Sequence, residues 1–146
     1  METYIKEIEA QATWPIRHQV MWPNKPIEYV ILPNENKGKH YGLFLHDQLI
    51  AVISLFMMNQ EIQFRKFATL DIYQGKGYGS QLLTYALKEA LKDNCTKIWC
   101  NARTDKIHFY LKFGLEPTNI SFSKDGVAYT IMEKSIVRKN NGEQDR

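Results

Sequence analysis

The chain has 146 residues, of which 44% are hydrophobic and 24% charged, with a formal net charge of +3. That length and balance describe one ordinary globular domain burying roughly 70% of its unfolded surface. They argue against nucleic-acid binding, because lysines and arginines are scattered among acids, and no apolar run approaches the ~18 residues of a membrane span. Cys95 and Cys100 form neither a Cys-x-x-Cys pair nor part of a metal-ligand cluster, which predicts a reduced chain without a metal site. With no basic-then-apolar leader at its start, the expected compartment is the cytoplasm.

Residues 1–12 are polar and read as a short strand or a frayed lead-in. Trp14 to Met21 has helical spacing, with Pro15 placed in a first helical turn. Pro23, Pro26 and Pro33, with Asn24, Asn34 and Asn36, mark a loop-rich connection. Strands follow over Tyr41–His46 and Leu49–Met57, joined by a tight turn at Asp47-Gln48. A second reversal at Asn59-Gln60 leads into a strand over Ile62–Leu70. Leu82, Leu83, Ala86, Leu87, Ala90 and Leu91 lie on one face of a helix spanning Gly77–Asp93. Lys97–Ala102 is the next strand, so this strand–helix–strand unit predicts a parallel pair. A helix over Thr104–Phe113 has Thr104 as N-cap and Gly114 as its left-handed C-terminal stop. Asp125-Gly126 turns a last hairpin between Ile120–Ser123 and Val127–Glu133, and residues 134–146 read as a flexible tail. The sum is one α+β domain with a mixed, mostly antiparallel sheet.

The most informative stretch is Gln74-Gly75-Lys76-Gly77-Tyr78-Gly79-Ser80, at a strand-to-helix turn. Glycines there let the backbone approach a ligand, and the free N–H groups of the helix's first turn favour an anion, most often phosphate. The spacing fits neither the Walker loop nor the dinucleotide fingerprint Gly-x-Gly-x-x-Gly. What remains is Gln-x-x-Gly-x-Gly, on Gln74, Gly77 and Gly79. This pattern resembles the pyrophosphate-binding motif of the GNAT superfamily of acyl-CoA-dependent N-acetyltransferases. A second segment, Asn101-Ala102-Arg103 followed by Phe109-Tyr110-Leu111-Lys112-Phe113-Gly114-Leu115, resembles the Asn-Ala-Arg … Phe-Tyr-x-Lys-x-Gly-Phe segment of the same superfamily. Leu70-Asp71, Gln74 and Leu115 depart from its commonest pattern.

The resemblance covers about residues 40 to 135 and implies a single N-acetyltransferase domain over 1–146. It implies a GNAT fold whose central parallel strands splay into a V that takes the pantetheine arm of acetyl-CoA. It places cofactor contacts on Gln74, Gly75, Lys76, Gly77, Tyr78, Gly79 and Ser80, on the backbone of Phe67, Ala68 and Thr69, and on Asn101. Tyr78 has a plainer role open to it, packing near Leu82. Tyr110 would be the catalytic residue, protonating the departing thiolate. Acetyl would pass directly to an amine of a small molecule; a protein N-terminus or lysine is the alternative acceptor, and a CoA-binding module without turnover is the non-enzymatic rival. A homodimer is the family's default. His40, Glu28, Glu61, Asp71 and His108 are candidate bases. The acceptor site is expected between Arg17, His18, Trp22, Glu28 and Tyr29 on one side and Phe122 and Tyr129 on the other.

Overall fold

The computed structural model describes residues 2–136. Seven strands form one sheet: β1 (Thr3–Ile8), β2 (Lys39–Leu45), β3 (Gln48–Met58), β4 (Glu61–Thr69), β5 (Lys97–Arg103), β6 (Glu116–Lys124) and β7 (Val127–Ser135), in the order β1-β2-β3-β4-β5-β7-β6. Every neighbouring pair is antiparallel except β4 and β5. The polar N-terminal segment is thus a true edge strand rather than a frayed lead-in.

The helices are α1 (Ala10–Met21), α2 (Tyr78–Leu91) and α3 (Ile107–Leu111). α2 and α3 cover one face of the sheet, burying Leu43, Ile53, Ile62, Phe64, Leu82, Leu83, Ala86, Ile98 and Met132 in the main core. α1 covers the other face over the first strands, where Ile16, Val52 and Ala68 form a smaller cluster. Leu82, Leu83, Ala86 and Ala90 turn inward as their spacing predicts, but Leu91, at the helix end, is exposed.

Several boundaries differ from the sequence expectation: β6 starts at Glu116 rather than Ile120, and α3 is shorter at both ends than the expected Thr104–Phe113 helix. α1 starts four residues early, so Pro15 lies inside the helix, where its missing N–H leaves one backbone carbonyl unpaired by the helix ladder. The β2–β3 turn is formed by His46 and Asp47, both at positive φ (50° and 64°), rather than Asp47-Gln48. Left-handed backbone at both central positions suits the strand twist, and Asn59-Gln60 and Asp125-Gly126 repeat it as expected. Thr104 is no N-cap: it opens a 3-10 turn over Thr104–Lys106, and its Oγ1 lies 3.2 Å from Thr130 Oγ1. The segment read as a tail contributes Lys134 and Ser135 to β7; the rest of it from residue 137 lies outside the described residues.

Candidate active site

The parallel pair is short. β4 and β5 are in register only at Glu61–Lys97, Ile62–Ile98 and Gln63–Trp99, although both strands run on for several residues. Beyond Gln63 they part, and among the described residues no strand pairs with the β5 side of β4 there. Tyr110 on α3 reaches this gap. Its ring packs 5.8 Å from Phe64 of β4 and 5.2 Å from Phe109, and it lies close enough to the Cys100 thiol on β5 for the two groups to oppose each other's ionisation. Its hydroxyl has no hydrogen-bond partner among the described residues, and burial, then Cys100, raises its pKa far above the ordinary phenol value. It therefore stays protonated, an unspent donor at the parting of the strands.

One extra residue in β4 accompanies the parting. Arg65 lies opposite Ser54 and Ala68 opposite Val52, so Lys66 and Phe67 together face Ile53. Lys66 takes the left-handed conformation (φ 56°) within this bulge. Past the bulge the ladder resumes: the Leu70 N–H donates to Ile50 O at 2.9 Å. By the alternation of such a ladder, Ala68 shares that β3 side, whereas Thr69 directs its N–H and carbonyl into the gap. The Thr69 carbonyl is indeed met there by Gln74 Nε2 at 2.8 Å.

Gln74 also donates to Asp71 Oδ1 at 3.1 Å, so the side chain that leads the glycine motif braces the loop from β4 to α2. Gly75 (φ 76°) and Gly77 (φ 90°) sit in the left-handed region, and a Cβ built on either meets nothing within 4 Å. Gly77 caps α2, and the first helical bond is Gln81 N–H to Gly77 O. The N–H groups of residues 75–80 have no acceptor among the described residues, and the positive end of the helix dipole lies among them. Gly79 packs against the start of the gap, its added Cβ falling 3.4 Å from Phe67 and Thr69 side-chain atoms. Lys76 is exposed, and Tyr78 packs edge-on to Tyr73 at 6.2 Å. Asn101 lies on β5 with its side chain exposed and unbonded. Cys100 is buried, which pushes its thiol up to about 12, so it serves as a small core hydrophobe rather than a nucleophile.

The candidate bases scatter. His40 is buried, with Nε2–H donating to Glu35 O at 3.0 Å and Nδ1 lying 2.7 Å from Ser54 Oγ. Glu61 begins β4 at the closed end of the pair, 3.7 Å from Lys97. Asp71 accepts from Gln74; Glu28 and His108 are exposed.

Arg17 does not belong to an acceptor surface. It is fully buried, its guanidinium donating to Glu35, to Ser54 Oγ at 2.9 Å and to Val30 O at 2.9 Å. Glu35 Oε2 further accepts from Trp14 Nε1 (2.9 Å) and Leu32 N–H (3.2 Å). Burial raises the Glu35 pKa, but the hydrogen bonds and charge of Arg17, with the other donors, bring it below the ordinary value. This knot ties the loop-rich segment to α1 and β3, and the sequence hid it because Glu35 sits in a polar loop with no periodicity. The remaining acceptor-side residues do converge. Trp22 packs edge-on to Tyr29 at 5.2 Å, Tyr29 Oη donates to Asp125 Oδ2 at 2.8 Å, and Phe122 stacks on Tyr129 at 5.3 Å. His18 lies apart from that link, Nε2 at 2.6 Å from Lys25 O.

Comparison with known proteins agrees with this geometry. The chain is 27% identical over 142 residues to the uncharacterized N-acetyltransferase YitI of Bacillus subtilis, covering 90% of this chain and 95% of that one. Its fold matches the ribosomal-protein-S18-alanine N-acetyltransferase of Escherichia coli with a TM-score of 0.79 at 18% identity, over 96% and 97% of the two chains. It also matches a Bacillus subtilis acetyltransferase in complex with CoA, with a TM-score of 0.70 at 20% identity, over 93% and 100%. Residues 5–115 match the Acetyltransferase (GNAT) family model, from the edge strand through the glycine turn, the parted strands and α3, and the chain therefore belongs to that family of acetyl-CoA-dependent acyltransferases.

Proposed function

We propose that this protein transfers acetyl from acetyl-CoA to the amino group of a small molecule by direct transfer. The observation that carries this is the gap itself: two parallel strands that part after three residue pairs, with an unpartnered, protonated Tyr110 hydroxyl at the parting. The structure meets the cofactor's chemistry at both ends. Six consecutive unpaired N–H groups at the start of α2 suit a pyrophosphate, and the open β5 side of β4 suits the amides of a pantetheine arm. Bound acetyl-CoA supplies the activated thioester.

The protein's part is positional and electrostatic. The Thr69 N–H, directed into the gap, polarises the thioester carbonyl and stabilises the oxyanion as the amine nitrogen bonds to carbon. Tyr110 gives its proton to the sulfur as the carbon–sulfur bond breaks, a role worth roughly 10² to 10⁴ in rate. The amine reacts in its neutral form and sheds its extra proton to solvent, and Tyr110 takes a proton back from solvent before the next turnover. A small acceptor fits because the Tyr29–Asp125 bond ties the two walls of the acceptor side together.

A thermal-shift titration with acetyl-CoA, CoA, ATP and NAD tests the donor site. At about 100 times its dissociation constant a ligand adds roughly 2.7 kcal/mol, a clear rise in melting temperature. A shift with both CoA forms alone is expected, followed by CoA release in a screen of small amines. No shift with either CoA form overturns the proposal, and binding without turnover of any amine turns it into a CoA-binding module.

A further inference from the structure

The bulge in β4 places two cations, Arg65 and Lys66, where no carboxylate among the described residues pairs with them. Phe64 and Phe67 face the α2–α3 core, while Ala68 faces α1 and Arg65 lies opposite Ser54, the serine that takes Arg17 from α1. Cross-strand partners share a face, so Arg65 is on the α1 side as well. Between these alternating positions Lys66 is the supernumerary residue, inserted just past the point where β4 and β5 part. Lys66 feels the positive charges of Arg65, Arg17 and Lys124, the last of these at the tip of the β6–β7 hairpin.

Both cations are half-buried, and among the described residues neither makes an ion pair or a side-chain hydrogen bond. The carboxylate they sense, Glu35, has its oxygens taken by Arg17, Trp14 and the Leu32 N–H. Asp125, beside Lys124, is held by Tyr29. Desolvation, then the neighbouring cations, lowers the Lys66 pKa to about 8, and desolvation also lowers that of Arg65. Partly dehydrated positive charge with unspent donors is costly to hold unless an anion joins it. The five donors of a guanidinium form a planar fork that matches a carboxylate through two parallel bonds.

We propose that Arg65 and Lys66 form an anion subsite on the acceptor side of the gap, and that the acceptor is a small amine that also carries a carboxylate. This rests on the acetyl-transfer function above. Arg65 holds the carboxylate and Lys66 adds charge, while the amino group of the same molecule turns toward the parted strands. Lys124 extends the positive field to the hairpin, steering acidic amines in and cationic ones away.

The test measures CoA release with matched substrates, tyrosine against its methyl ester and tyramine, and glutamine against 4-aminobutanamide, with β-alanine against phosphoethanolamine to compare the two kinds of anion. In the protein as it stands, the carboxylated member is expected to have a kcat/KM about 10-fold or more above its uncharged partner, mostly through KM. In Arg65→Gln and in Lys66→Asn that ratio should collapse toward one. Lys66→Asn suits the left-handed backbone, so it remains informative should Arg65→Gln fold poorly. Acetylation of both members with equal efficiency, or a preference for the uncharged or the phosphorylated amine, overturns the carboxylate subsite and leaves acetyl transfer standing. Turnover of no amine at all, with acetyl-CoA bound, overturns both.

Discussion

Tyr29 Oη and Asp125 Oδ2 lie 2.8 Å apart across 96 positions of sequence, joining the loop-rich segment after α1 to the turn of the last hairpin. The bond raises the Tyr29 pKa, the hydrogen bond contributing most, so the phenol remains a donor throughout the neutral range. Neither residue is buried, and the contact adds little to global stability. Its consequence is local, because it sets the distance between the loop-rich segment and the last hairpin, the two walls of the proposed acceptor side.

Removing that link should therefore act on the acceptor. Tyr29→Phe is expected to raise KM for the amine several-fold, with melting temperature and acetyl-CoA affinity near wild type. Steady-state kinetics with each substrate varied in turn checks this; an unchanged amine KM would detach the Tyr29–Asp125 bond from acceptor binding.

Gly77 tests the anion grip. At φ 90° an L side chain is strained by about 1–2 kcal/mol, yet an added Cβ meets no atom within 4 Å. Gly77→Val should fold while its backbone relaxes away from the arrangement that aims the N–H groups of residues 75–80. Calorimetric titration is expected to show acetyl-CoA affinity lost or reduced at least ~10-fold, about 1.4 kcal/mol. Binding at wild-type strength would mean the turn serves packing alone.

For Tyr110, the hydroxyl is the quantity of interest, since the ring stays in Tyr110→Phe. kcat should fall by roughly 10² to 10⁴ with little change in acetyl-CoA affinity. Folding stability should hold, because the lost hydroxyl leaves no partner unsatisfied among the described residues.

The same burial has a signature at alkaline pH. The folded pKa of Tyr110 lies far above 10.0, and that of Tyr41 is pushed up to about 12, mainly by burial. Raised folded values mean that the unfolded chain releases its protons first. The stability due to the neutral phenols is thus complete below pH 10 and declines as pH rises through the folded values. Urea midpoints measured from pH 9 to 11.5 should decline, and less steeply in Tyr110→Phe. Identical slopes in the two proteins would contradict the burial of this phenol.

Glu35 governs the stability of the other face. Glu35→Ala leaves the Arg17 guanidinium buried without its carboxylate, and Arg17 Nε is already unpartnered. The expected cost is roughly 3–5 kcal/mol, measured by urea unfolding. Arg17→Met with Glu35→Gln should recover part of it, since no charge is then stranded. A loss below about 1 kcal/mol in the single variant would show that water reaches the pair.

Much of this was legible in the residues, and the reason is that local chemistry carried the signal. Gly75 and Gly77 take positive φ, the apolar spacing of Leu82, Leu83, Ala86 and Ala90 becomes the inner face of α2, and Gly114 (φ 87°) stops α3. Each depends on near neighbours, so the strand–helix–strand unit and its parallel pair could be read directly. Pairing over distance could not. Arg17 looked like an acceptor contact until the fold brought Glu35 and Ser54 to it, and only the pairing shows that β4 carries one residue more than β3 can match, at Lys66. The chain by itself determined that these helices, turns and the glycine loop exist and in what order, though not their ends, because those follow from backbone preference and period. Only the tertiary structure decided which polar groups are spent and which are free, because a donor's partner can come from any point along the chain.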